Sequence, residues 1–241
     1  MDDPGVECCP VLVTGEGGTE KSRVIHSFTA WMDMVGGTRR VRVEAPTATA
    51  AAKIQGETLH RIAGISRGKR KKSGHIDDST PLPSKPADIT TISDAVCADL
   101  EHLENMVVDE VSMLGHKLHA RLHQTLCLVK AGVGSGSHMG GINTFYFGDF
   151  LQFRPVMDTA LSLEPREGVF NLWKNVTDVV ILTEQRRQDP AQREFMKSPR
   201  KVRFRECEKE DYLLLQKLVI GTVGGPQLGD AEWQDTLFIV Q

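Results

Sequence analysis

An α/β sandwich, a mostly parallel sheet flanked by helices, is the fold class that this 241-residue sequence predicts, and three observations point to it. Short apolar runs alternate with segments of helical periodicity. Polar residues, often acids or glycines, follow the carboxyl end of the runs. The first run opens directly into a glycine-rich loop that precedes a helix. Strands separated by helices bury both faces of a parallel sheet and leave a ligand crevice along its carboxyl edge.

Residues 11–14 read as a buried strand. Residues 22–34 read as the helix after the loop, with Val24, Ile25, Phe28, Trp31 and Met32 at helical spacing and Gly36-Gly37 as its stop. Residues 41–45 form a second strand, and the alanine-rich stretch 48–54 is helix-prone up to Gly56. Between positions 66 and 91 Lys, Ser, Gly, Asp and Pro prevail without apolar periodicity, which predicts an inserted loop. A helix over 95–104 leads into a strand over 106–110 that ends in two carboxylates. A helix over 115–129, a flexible stretch over 132–137, a strand over 144–147 ending at Gly148-Asp149 and a strand over 179–182 complete the sheet. Residues 211–218 read as an amphipathic helix.

Composition sets mild limits. A hydrophobic content of 40% supports a real core, and the length suits one large α/β domain or a domain plus part of another. With a net charge of −3 the whole chain is a poor general polyanion binder, so any nucleic-acid contact is local. The basic cluster Arg67 to Lys72 is one such place; its Lys69 to Lys72 part reads as a nuclear localisation signal or a DNA-contacting loop, with a solvated loop weighing as much as both together. Five cysteines, an odd number without paired metal-type spacing, favour a reduced intracellular compartment. No run approaches the ~18 apolar residues of a membrane span, and the acidic N-terminus leaves no room for a targeting peptide before the first strand.

Four elements carry chemistry. The run Gly15-Glu16-Gly17-Gly18-Thr19-Glu20-Lys21-Ser22 matches a phosphate-cradling loop except at Glu20, where the pattern requires Gly. In such a loop backbone N–H groups wrap phosphates, the lysine reaches them as a point charge, and the hydroxyl, here that of Ser22, ligates magnesium. Glu20 brings a side chain and a charge to the place of a polyanion, with a steric penalty as well if the backbone there takes a positive φ. Asp109 and Glu110, delivered by an apolar strand, suit a magnesium-shell acid and a residue that orients or deprotonates water; taken alone, the pair reads first as a solvated loop, and the upstream phosphate loop turns the balance to the functional reading. Gly148-Asp149-Phe150-Leu151-Gln152 supplies a Gln able to sense a γ-phosphate, with Phe150 and Arg154 facing a nucleic-acid strand; the other reading is a plain turn with Phe150 and Phe153 in the core. Gln185-Arg186-Arg187-Gln188 offers a cation to a transition state, or is a solvated charge run.

Taken in order, these elements, together with Ala45 to Ala51, Gly56 to His60, Val107 to Leu114, Gly140 to Val156 and Leu182 to Asp189, look like helicase motifs I, Ia, II, III and IV. The set resembles the PIF/RecD-like DNA helicases of superfamily one, especially the helicase portion of fungal Helitron-type transposon proteins. Asp109-Glu110-Val111-Ser112-Met113 and the Gly-Asp-Phe-x-Gln block are the most specific parts, and the resemblance covers residues from about 10 to 200.

The resemblance implies a RecA-like phosphate-loop NTPase domain over 1–200, with 201–241 as connector and the start of a second RecA-like domain. It implies an ATP- and Mg2+-dependent motor that unwinds duplex DNA from five-prime to three-prime along a single strand, in the nucleus, with roles in repair, recombination or transposition. Lys21 and Ser22 then bind nucleotide and metal with Gly15, Gly17, Gly18, Thr19 and Glu20 around them; Asp109 supports magnesium, Glu110 is the base, Gln152 couples γ-phosphate to DNA, and Arg187 is the motif IV arginine, with Arg186 the alternative. Thr47 and His60, in the matching motif Ia, lie near the single strand. Three departures stand out: Glu20 for Gly, Arg154 for the usual Pro, and an end at Gln241 that leaves motifs V and VI unmatched. The expectation for the isolated chain is weak or no ATPase and no strand separation. A phosphate-loop kinase and a non-catalytic remnant of a mobile-element helicase are the rival readings.

Overall fold

The computed structural model describes residues 8–63, 94–130, 137–186, 200–217, 219–221, 227 and 229. The chain divides into two compact units, Met1–Arg187 and Gln188–Gln241. The expected inserted loop with its basic cluster, the flexible stretch before Ser137, Arg187 and the last residues lie outside the described residues.

The first unit is built on a six-stranded sheet in the order β3-β2-β4-β5-β1-β6. Its strands are β1 (Pro10–Gly15), β2 (Val41–Ala45), β3 (Glu57–Thr58), β4 (Asn105–Val108), β5 (Asn143–Gly148) and β6 (Asp178–Leu182). All neighbouring pairs run parallel. The helices are α1 (Lys21–Met34), α2 (Ala48–Lys53), α3 (Leu59–Ile62), α4 (Asp94–Leu100) and α5 (His116–Val129). Side chains alternate across a strand, and that period of two divides the core. Leu12, Met106, Val108 and Tyr146 pack in one layer with Leu59, Leu118, Leu122 and Leu126 of α3 and α5. Their sequence neighbours Val13, Val107 and Phe147 pack in the other, with Ile25 of α1 and Ala50 and Ala51 of α2. Each fully buried Leu or Ile contributes about 1.5–3 kcal/mol of transfer free energy, so the sandwich is held from both faces.

Several boundaries differ from expectation, each for a local reason. β4 stops at Val108, so the two carboxylates sit just past the strand instead of inside it. The helix expected over 95–104 ends at Leu100, because Leu103 turns into the core and the backbone of Glu104 bonds that of Arg40 and Asn143. β3 and α3, of two and four residues, are too short to show periodicity. On α1 only Ile25 and Met32 are buried, while Val24 and Trp31 are 42% and 53% exposed, so part of the apolar spacing faces outward. β6 is one of the two edge strands of the described sheet, and its Val179, Val180 and Ile181 are exposed.

In the second unit α6 (Lys209–Gln216) starts two residues earlier than the expected position 211. The cause is a capping box: the Glu208 side chain accepts from the Asp211 backbone, and the Glu208 N–H donates to Asp211 Oδ2 at 2.9 Å. Lys201 Nζ donates to the same carboxylate at 2.9 Å.

Candidate nucleotide site at the carboxyl edge of the sheet

β1 lies between β5 and β6, and the chain then crosses to β2 on the far side of β4, so the strand order switches direction beside β1. A crevice at such a switch point is where open parallel sheets bind ligands. The loop from Gly15 to Glu20 leaves β1 here and enters α1 at Lys21. A Cβ on Gly15 would stand 2.6 Å from both the Leu182 carbonyl oxygen and Thr19 Oγ1, so the turn requires glycine. Thr19 is buried and its hydroxyl donates to the Glu16 carbonyl at 2.9 Å. Lys21 Nζ donates to the carbonyls of Gly15 at 2.7 Å and Glu16 at 3.0 Å, so the cation lies over the loop. Ser22 is exposed on the first turn of α1.

Glu20 caps α1 with φ 61° and ψ 32°, in the left-handed region, and its side chain makes no capping bond. A non-glycine residue there is strained by roughly 1–2 kcal/mol. The positive φ that the motif's glycine requires is thus present, with glutamate bearing it.

Asp109 and Glu110 follow β4, two strands from β1. The Asp109 N–H donates to the Glu44 carbonyl at 2.9 Å, which extends the sheet pairing by one residue and fixes the acid at the edge. Asp109 is 7% exposed, and burial raises its carboxyl above the ordinary range. The Glu110 N–H bond to Asp109 Oδ1, at 2.9 Å, and the charges of Lys21, Lys53 and His26 pull it back down. Glu110 is raised by burial first and by Asp109 second, with Lys21 and Lys53 opposing. Lys21 therefore acts on both acids. Glu110 also has positive φ, 51°, a second strained glutamate at the same edge. Strain of this kind is maintained where the surroundings over-determine it, often at functional sites. Gly148 at the end of β5 forms part of those surroundings, because a Cβ on it would stand 2.8 Å from the Val111 nitrogen.

The turn after β5 is organised by Asp149, which is 2% exposed. Its Oδ1 accepts from the Leu151 N–H at 3.0 Å, and its Oδ2 from Gln152 Nε2 at 3.3 Å. The Gln152 side chain is exposed but tethered to this acid, whose charge also raises Glu110. Phe150 packs edge-on against Trp173, with centroids 5.5 Å apart, at the border of the core. Phe153 is 82% exposed and Arg154 is exposed too, so the two phenylalanines have different surroundings. Thr47 caps α2, its hydroxyl accepting from the Ala50 N–H at 3.2 Å, and His60 is exposed on α3.

The structure brings Lys21, Asp109, Glu110 and the Asp149–Gln152 turn to one edge, and it adds a residue that motif reading passed over. Gln185 Nε2 donates to the Gly17 carbonyl at 2.7 Å, and the Arg186 N–H to the Gly18 carbonyl at 2.9 Å. Only the arginines of that run attract attention as chemistry, and nothing local in sequence marks a contact with a loop 168 residues earlier.

The donor set fits a nucleotide and a cation: a loop whose first glycine, Gly15, admits no Cβ, a lysine at its mouth, and a buried aspartate within that lysine's field. The family model described as PIF1-like helicase matches residues 7–208. Among curated relatives, the ATP-dependent DNA helicase PIF1 of Saccharomyces cerevisiae is 31% identical over 146 residues, covering 61% of this chain and 15% of its own length. The human ATP-dependent DNA helicase PIF1 is 29% identical over 216 residues, covering 89% of this chain and 30% of its own length. The crystal structure of Pif1 helicase from Candida albicans superposes with a TM-score of 0.65 at 23% identity, covering 87% of this chain and 44% of that one. Pif1 helicase from Bacteroides in complex with ADP-AlF3 and ssDNA gives 0.64 at 23% identity, over 90% and 47%. The chain thus spans less than a third of these curated relatives and less than half of the solved chains. With a sheet of RecA-like order and a family match over most of its length, the chain belongs to the PIF1-like helicase family.

Proposed function

We propose that this chain is the first motor domain of an ATP-dependent, five-prime to three-prime DNA helicase, supplying the nucleotide-binding half of the ATPase site. The observation that carries the reading is the placement of Lys21, over the loop carbonyls and within the field of both Asp109 and Glu110. On this reading the backbone N–H groups of Gly17, Gly18 and Thr19 and the Lys21 ammonium hold ATP phosphates, and Ser22 and Asp109 hold Mg2+. The metal, when bound, offsets charge on the phosphate oxygens. Its charge also stabilises the ionised form of a buried acid that Lys21 only partly compensates. Glu110, raised by burial, accepts a proton from the attacking water, and Gln152, tethered to Asp149, reports on the γ-phosphate. Arg187 supplies a cation to the same phosphates. Thr47, His60 and Arg154 face single-stranded DNA with Phe150 behind them, and the basic cluster Lys69 to Lys72 directs the protein to the nucleus.

The relatives named above are ATP-dependent DNA helicases, and one solved neighbour holds a nucleotide analogue and ssDNA. Unwinding is assigned to the whole protein. No helix among the described residues is long and apolar enough to cross a membrane. The test is ATP turnover by the purified chain with and without single-stranded DNA, alongside Glu110→Gln. DNA-stimulated turnover that Glu110→Gln abolishes, with ATP binding intact, supports the motor reading; turnover insensitive to both DNA and Glu110 overturns it. Glu20, in the left-handed region where glycine belongs, favours a second reading, a nucleotide- or DNA-binding remnant without turnover. That reading predicts ATP or DNA binding with no hydrolysis under either condition, even in Glu20→Gly, whereas the half-site of a motor is expected to give a weak, DNA-dependent rate once glycine is restored.

A further inference from the structure

We propose that Gln185 is a positioning residue of the nucleotide site: its side-chain amide fixes the Gly17–Gly18 peptide so that the Gly18 N–H faces the phosphates. The inference rests on the nucleotide reading above, and it starts from peptide geometry. A peptide unit is planar, so holding one residue's carbonyl sets the direction of the next residue's N–H. A loop that binds anions through inward N–H groups turns its carbonyls outward, and each outward carbonyl needs a donor.

In this loop the donors come from three sources. Lys21 Nζ serves Gly15 and Glu16, and Thr19 serves Glu16 again. The first turn of α1 serves Glu20, through the N–H groups of Arg23 and Val24. The carbonyls of the adjacent pair Gly17 and Gly18 are served by consecutive residues beyond β6: Gly18 by the Arg186 N–H at 2.9 Å and Gly17 by Gln185 Nε2 at 2.7 Å. Of this pair, the Gly17 bond alone is made by a side chain, one from outside the loop. It holds a peptide flanked by two glycines, where rotation meets the least steric resistance, and a Cβ on Gly17 would touch nothing within 4 Å. On the Gly17 side packing therefore does not hold this peptide, although Gly18 on the other side is buried. The amide orientation is unambiguous, since a carbonyl cannot accept from Oε1, and that oxygen is buried without a partner among the described residues.

The experiment has one arm without nucleotide and one with it. Backbone amide exchange across residues 15–20 is measured by mass spectrometry in the nucleotide-free chain for wild type, Gln185→Met, Gln185→Asn and Gln185→Lys. Methionine keeps the length without a donor, asparagine shortens the reach, and lysine restores a donor. Losing one hydrogen bond of about 1 kcal/mol opens the loop roughly fivefold. Met and Asn are expected to exchange about that much faster, and Lys close to wild type, with thermal midpoints lowered by no more than the roughly 2–4 °C that 1 kcal/mol represents. In the second arm, affinity for a fluorescent ATP analogue is expected to fall by a similar factor in Met and Asn. Equal loop exchange in wild type, Met and Asn overturns the proposal. So does accelerated exchange in Met and Asn with unaltered analogue affinity. If wild type binds no analogue while Met and Asn loosen the loop, the clamp stands and the nucleotide reading is the part that fails.

Discussion

Replacing Glu20 with glycine separates two penalties that the structure places in one residue. The first is conformational: φ of 61° costs a non-glycine residue roughly 1–2 kcal/mol. That strain exists with or without nucleotide, so its relief appears in folding stability, less about 0.4–1 kcal/mol for glycine's greater unfolded-state freedom. The second is electrostatic. A carboxylate about 6 Å from a phosphate charge costs roughly 0.7 kcal/mol at the dielectric of water and roughly 3 at an effective value of 20. Glu20 is half-buried, which places it between these limits, and about 1.4 kcal/mol corresponds to tenfold in affinity. Glu20→Gln removes the charge and keeps the strain; Glu20→Gly removes both. Equilibrium titration with an ATP analogue is expected to show binding tighter by between about threefold and a hundredfold for both variants. Denaturant melts are expected to show a gain of up to about 1.6 kcal/mol for Gly alone. If Gln and Gly both bind as the wild type does, Glu20 is not what weakens the site.

Three other perturbations follow from buried groups. Glu44 is fully buried, neither carboxylate oxygen has a partner among the described residues, and burial followed by the Glu57 charge raises it to about 8. Between pH 4.5 and 8 the folded state thus holds a proton that the unfolded state releases, so stability falls as pH rises, by on the order of 3–4 kcal/mol across the window. Glu44→Gln flattens that slope in denaturation measured from pH 5 to 8, and an unchanged slope contradicts the assignment. His138 is pushed down to about 4 by burial first and by His123 second, in a cluster where Tyr146 Oη bonds both His119 and His138. There the unfolded state takes up the proton first, so stability falls as pH drops from 6.5 to 4, by on the order of 3 kcal/mol. His138→Gln reduces the loss, which circular dichroism melts at pH 4.5 and 7 will detect. Gly148→Ala drives a Cβ to 2.8 Å from the Val111 nitrogen at φ 154°, and is expected to cost about 1–3 kcal/mol in melts. It is also expected to displace Glu110 and reduce any ATP turnover, and a variant as stable as wild type would refute the close approach.

The strands that build the site were legible because each is a compact apolar run, and β2 occupies the expected residues 41–45. β3 was not, because two residues carry no period. Position 20 was readable in both respects: the motif's glycine marks a backbone requirement, and the positive φ is present. Phe150 and Phe153 show the limit of local pattern. Their spacing is equally compatible with core and surface, and only Trp173, brought up by the chain before β6, draws Phe150 inward. Gln185 shows the same limit from the other side, since its role depends on β6 pairing with β1 in parallel register, Gly15 opposite Leu182. Asp149 was visible only as a turn residue; its burial and its two side-chain bonds became evident with the sheet edge assembled.

The most direct measurement is the affinity of the purified chain for Mg2+-ATP by calorimetry, compared with Lys21→Ala. Lys21 lies over the loop and within the field of Asp109 and Glu110, so loss of its ammonium is expected to weaken binding at least tenfold while the fold's melting midpoint stays in place. Equal affinity in the two proteins would show that nucleotide does not bind at this loop.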